Sequence, residues 1–224
     1  MIAMRAAGRL LKNGVDHTKP QHILRRDSGP WEHHLPGKQF VFTNAVCARG
    51  LQMLDELDRQ FGKPDPNMAE NVQKMLKGID AQFLVGNRFY KGNAQESSPD
   101  EHYFFDGATF EIFACGLVND KSLFRSHMLE YDRHLLAAKD PARGYIRFDS
   151  QDSYENQEWP FAGLRVAVAE KRLGSVLLVK EPYLLITNLM MKDRVLNKQY
   201  GDERLSCFYR ATSSYFFINF RIYV

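Results

Sequence analysis

Cysteine is scarce in this chain of 224 residues and follows no ligand pattern: Cys47, Cys115 and Cys207 are odd in number and make no CxxC pair. That argues against both a disulfide framework and a structural zinc site. No stretch reaches the roughly 18 apolar residues that a membrane helix needs. The first twelve residues carry Arg5, Arg9 and Lys12 but no apolar run of signal-peptide length. The expectation is a protein of a reducing, cytoplasmic compartment with no membrane partner. A dominant charge is missing too: 30 basic and 27 acidic residues leave a formal +3, mixed along the chain, which gives no case for a nucleic-acid partner. There is no GxGxxG or Walker loop. His33-His34 lack an HExxH frame, and Ser28 in DSGP is no GxSxG elbow. No metal and no organic cofactor is expected.

Apolar residues are plentiful at 44%, aromatics reach 12% with 16 Phe, 10 Tyr and 2 Trp, and the chain is long enough to bury a sizeable core. Flat rings suit a packed core, which is the favoured reading, and they also suit a sugar site, where they stack on the apolar faces of pyranoses. Helical periodicity dominates. Cys47, Leu51, Leu54, Leu57 and Phe61 form one apolar stripe, stopped by Gly62 and Pro64. Val72, Met75, Leu76, Ile79 and Phe83 form a second, with Asp65-Pro66 as cap and first turn. Ile2, Ala6, Ala7, Leu10 and Leu11 suggest an N-terminal helix. Others are expected near 106–118, 121–137 (carried by Leu123, Met128, Tyr131 and Leu135), 159–173 and 181–196, with no strand alternation between them. The predicted class is all-α, as one domain over 1–224.

The connections are long and polar. Residues 25–39, 84–103 and 141–158 are rich in Gly, Pro, Ser and Asn, and loops of that length in a helical domain often carry function. Helical hairpins alternating with such loops suit a toroid whose loops gather on one rim. The last dozen residues, SSYFFINFRIYV, are strand-like instead.

Three segments carry chemistry in one order: DSGPWEHHLPGKQFVFTNAVCARGLQML, FDGATFEIFACGLVNDKSLFRSHMLEYDRHL and GYIRFDSQDSYENQEWPFAGLRVAVAEKRLG. The first resembles the acid-bearing segment of glycoside hydrolase family 15, the glucoamylase family, with its Trp-Glu pair, aromatic–Thr step and Ala-Leu helix. The second resembles that family's Asp-Ala-Ser-Leu helix and Gly-Leu turn, and the third its Arg-aromatic…Tyr…Glu-Trp-Pro loop. The likeness covers about residues 24–174. It implies an (α/α)6 toroid acting on α-glucans or oligosaccharides by inverting hydrolysis. Relatives in that family cleave trehalose, and others are regulatory domains of phosphorylase kinase.

By this resemblance Glu32 is the catalytic acid. The role needs a carboxyl still protonated near neutral pH, and packing beside an indole such as Trp31 raises a carboxyl pKa by desolvation. Without the family, Glu32 reads as a solvated loop glutamate. Arg147, Tyr154 and Trp159 suit a sugar subsite, the guanidinium donating paired hydrogen bonds and the rings stacking. Alternatively Arg147 pairs with Asp149 or Asp152 and Trp159 is core. Asp106 reads equally as an N-cap or a pocket residue. An inverting mechanism requires a second carboxylate, roughly 6.5–9.5 Å from the first. Glu203 stands at about the family's spacing, though a surface acid paired with Arg204 is the other reading.

Thirty-one residues precede Glu32, so the family's early Arg-Asp pair has no counterpart, and the chain matches the second half of the toroid. The expectation is a partial toroid that associates as a homodimer or with a missing N-terminal half. An active α-glucosidase and a non-catalytic, glycan-binding or regulatory domain both fit. A regular helical repeat does not, because the loops are unequal.

Overall fold

The computed structural model describes residues 7–16, 22–25, 29–31, 38–62, 65–136, 144–149 and 158–174. All lie within one unit, Met1–Leu178. Glu32, His33, His34, Ser28, Asp152, Tyr154 and Glu203, and everything after Gly174, lie outside the described residues.

Two long antiparallel helices form the first hairpin, α1 (Val41–Phe61) and α2 (Pro66–Phe83). The start of α2 follows from local chemistry. Pro66 fixes the first-turn backbone and has no N–H to leave unsatisfied, while the Asp65 side chain accepts from Asn67 N at 2.9 Å. Gly62 closes α1, its N–H bonded to Asp58 O. A short antiparallel pair follows, β1 (Leu84–Val85) and β2 (Phe89–Tyr90). Its turn takes Gly86 and Asn87 at φ +55° each, which the absent Cβ and a short amide side chain tolerate. A 3-10 turn, Gly107–Phe110, runs into α3 (Glu111–Ala114). Then come α4 (Lys121–Leu135), capped by Asp120 on Ser122 N and Leu123 N, and α5 (Pro160–Leu173), ended by left-handed Gly174. A π-helical turn, Leu10–Gly14, lies near the N-terminus.

The main core lies between the hairpin and the later helices. Ala45, Ala48 and Leu51 meet Met68, Val72, Met75, Ile79 and Phe83, with Ile112, Phe113, Ala169 and Leu173 closing the far side. A second, aromatic core gathers Phe89, Phe105, Phe110, Tyr131, Leu135, Tyr145 and Val166. Three details differ from the periodicity. The stripe of α1 runs out of the core, leaving Leu57 and Phe61 exposed at 50% and 77%. The helix expected over 106–118 is two short pieces, because Gly116 turns left-handed at φ +77° and ends it. The β-hairpin carries too few residues to show alternation. Among the described residues, no helix is long and apolar enough to cross a membrane.

Candidate functional site

Position 106 is the joint between the loop that follows β2 and the 3-10 turn, and it is almost wholly enclosed. Gly92 and Gly107 make the enclosure possible. A Cβ on Gly92 would stand 2.5 Å from the Asp106 Cβ and from Tyr103 O, and one on Gly107 3.1 Å from Ile146 O and the Ala162 Cβ. Asp106 caps the turn, accepting from Ala108 N at 2.8 Å. The same Oδ1 accepts the indole N–H of Trp31 at 2.9 Å, across 75 residues. The N-cap reading of Asp106 is thus observed, and its carboxyl also holds Trp31.

Arg147 reaches the same place along the main chain. Residues 144–149 are pinned between α4 and the joint: Ile146 N bonds Leu135 O, Gly107 N bonds Arg147 O at 2.8 Å, and Asp106 bridges Phe148. Trp159 N bonds Tyr145 O, which fixes the entry to α5 beside this strap. Gly144, at φ +74°, serves the strap twice, since a Cβ there would stand 2.8 Å from the Glu158 carboxylate.

The result is a guanidinium among rings. The Arg147 Cζ lies 4.2 Å from the Trp159 ring centroid, 5.4 Å from Phe148 and 5.7 Å from Trp31. Arg147 is fully buried and Trp159 nearly so, while Trp31 is half-buried. Trp31 meets Phe148, Trp159 and Phe161 edge-on at 5.6–5.9 Å, so a partly buried indole borders a cluster whose interior is charged. Cation–π contact is worth about 0.5–1 kcal/mol when exposed and roughly 2 or more when desolvated, so burial strengthens this one. Beside it, Lys38 Nζ stands 5.1 Å over the Tyr103 ring and 2.5 Å from buried Glu96 Oε1. The exposed His102 ring leans on Phe148 at 5.1 Å.

Burial pushes the Asp106 carboxyl up to about 7. The Ala108 and Trp31 N–H groups and the Arg147 charge pull against that, and Glu96 adds to it. Such a group changes charge in the neutral range. The structure thus brings Trp31, Arg147 and Trp159 together and adds Asp106, whose bond to Trp31 is a contact too distant in sequence to be read there. Among the described residues, no three His, Cys, Asp or Glu side chains gather as metal ligands.

Sequence comparison finds no matching family model and no matching curated protein. A search of solved structures finds the GH63 mannosylglycerate hydrolase from Thermus thermophilus, determined in complex with glucose. Its TM-score is 0.51 at 15% identity, over 69% of this chain and 40% of that one. The chain therefore spans less than half the length of that hydrolase. At this identity the likeness speaks for the fold alone: helical hairpins arranged as a partial α/α toroid.

Proposed function

We propose that this chain is a glycoside hydrolase of the glucoamylase type, which hydrolyses α-glucosidic bonds of oligo- or polysaccharides with inversion. One observation carries the reading: a buried guanidinium lies 4.2 Å from the Trp159 ring centroid and 5.7 Å from that of the half-buried Trp31 indole, on a fold similar to that of a glycosidase. Rings of this kind stack on the apolar face of a pyranose. Glu32 follows Trp31 directly in the chain and is the proposed general acid, with Glu203 the proposed base that activates water. Tyr154 is the proposed third member of the subsite. Release of glucose from maltoheptaose and trehalose by the purified chain, compared with Glu32→Gln, tests this. Release by the parent chain and none by the variant is expected. Equal release from both removes Glu32 as the acid.

A second reading is a glycan-binding or regulatory domain that keeps the cluster without turnover, in line with the burial of Arg147 and Trp159. Quenching of tryptophan fluorescence by maltoheptaose, with no glucose release, would select it. In either case we infer that the arc of hairpins associates with a second copy or a complementary helical chain. A monodisperse monomer in light scattering would remove that inference.

A further inference from the structure

We propose that Asp106 is the positioning residue of the platform, holding the Trp31 indole through its carboxylate while the N–H of the adjoining Gly107 holds the Arg147 carbonyl. Its relevance to sugar rests on the reading of the platform above; the positioning itself does not.

The geometry asks more of this residue than capping a helical turn. An N-cap needs one side-chain oxygen, which Ser, Thr or Asn provides without charge. A buried carboxylate is a costly way to provide it, since removing the charge from water is strongly unfavourable unless partners compensate. The partners here are the two ends of the platform. Oδ1 accepts from the Trp31 indole at 2.9 Å, Gly107 N bonds Arg147 O at 2.8 Å, and the Asp106–Phe148 bridge fixes the strap on which Arg147 sits. Residues 31, 106 and 147 come from three separate segments, and position 106 is where the other two are tied. Gly92 and Gly107 are needed for the chain to close around it.

A carboxylate that holds an indole N–H also reports its own charge through that N–H, because a hydrogen bond to an ionised acceptor is roughly twice as strong as one to a neutral acceptor. The charged and titratable groups facing Asp106 are Glu96 from the loop after β2, Arg147 from the strap and Tyr131 from α4. Of these, Arg147 keeps its charge throughout the neutral range, and burial holds the Tyr131 hydroxyl protonated there. The exposed His102, whose ring leans on Phe148, is the neighbouring imidazole whose contribution a control must separate.

The test uses the protein labelled with 15N-indole tryptophan, which gives two Nε1–H resonances, from Trp31 and Trp159, followed from pH 5 to 9. The Trp31 resonance is expected to titrate with a midpoint near 7. In Asp106→Asn, which keeps an oxygen for the cap, that titration is expected to vanish while the fold is retained. His102→Gln is expected to leave it in place. Affinity for maltoheptaose in Asp106→Asn is expected to fall about tenfold, the loss of a charge-assisted bond. A Trp31 resonance that titrates identically in parent and Asp106→Asn, or in neither, overturns the proposal. If the parent chain binds no sugar yet the titration depends on Asp106, the positioning stands and the sugar reading fails. If sugar binds with equal strength in parent and Asp106→Asn and the titration is unchanged, the sugar reading stands and the positioning fails.

Discussion

Among the described residues, two aromatic clusters each enclose a basic side chain, and they treat it in opposite ways. Around His127 the rings of Tyr131, Phe110 and Phe113 close at 4.1–5.2 Å. Both ring nitrogens are engaged: Tyr90 N donates to Nδ1 at 3.2 Å, so Nε2–H faces Thr109 Oγ1 at 3.2 Å. Burial drives the His127 pKa down to about 3, and the imidazole stays neutral. Around Arg147 the rings enclose a charge that cannot be lost, and one wall of the enclosure, Trp31, remains half open. The first arrangement is finished without a ligand. The second includes a tryptophan that is only partly buried. Aromatic abundance alone did not separate the two clusters, and the charge of the enclosed base does.

The largest expected effect comes from breaking the closed cluster. His127→Ala removes a packed ring and strands the Tyr90 N–H and Thr109, with an expected loss of about 3–5 kcal/mol in urea denaturation. The pH dependence is set by the same side chain. A histidine whose folded pKa lies below its unfolded value contributes stability that is full above about pH 6.5. That stability is lost as pH falls toward 3, at roughly 1.4 kcal/mol per unit. Between those limits the parent chain is expected to weaken steadily, and His127→Gln to weaken less. Equal acid slopes in the two proteins would mean that another group governs the acid limb.

The open cluster is expected to respond in binding rather than stability. Arg147→Lys keeps the charge and discards the planar stack on Trp159. Maltoheptaose affinity is expected to fall about tenfold, read by titration calorimetry, with a smaller loss of stability than at His127. A variant that loses stability and keeps its affinity would place Arg147 with the core, and the distinction between the clusters would be gone.

How much of this was readable in the sequence depended on how local the cause was. The α2 stripe and its Asp65-Pro66 start are local, and Val72, Met75, Ile79 and Phe83 are indeed buried. The α1 stripe has the same local form, but periodicity records the angle of a face and not where its partner ends, so Leu57 and Phe61 emerge into solvent. The Gly86-Asn87 turn carried a hairpin signal in strands of two residues, too short for alternation to register. Trp31, Arg147 and Trp159 were candidates through the order of three motifs. The tie between Trp31 and Asp106 had no local trace, because a hydrogen bond across 75 residues leaves no spacing to read.

The smallest expected effect concerns a carboxyl that lies in neither cluster's chemistry. Glu170 on α5 is 2% exposed, and its Oε2 has no hydrogen-bond partner among the described residues. Burial, with Asp132 adding repulsion, pushes its pKa up to about 7. Asp132 is already occupied, accepting from the Tyr145 hydroxyl at 2.6 Å, so it offers Glu170 no relief. A carboxyl with a raised folded pKa holds its proton in the folded state after the unfolded chain has lost it. It therefore lowers stability progressively as pH rises from about 4.5 to about 7. Glu170→Gln removes that charge while keeping the shape. Its expected gain over the parent chain is about 1 kcal/mol at pH 8, with no gain near pH 4.5, measured by urea denaturation at both values. Because His127 weakens the fold toward acid and Glu170 toward base, the variant is also expected to move the pH of greatest stability upward. An unchanged optimum would mean that the Glu170 carboxylate reaches water, and that its burial does not set its charge.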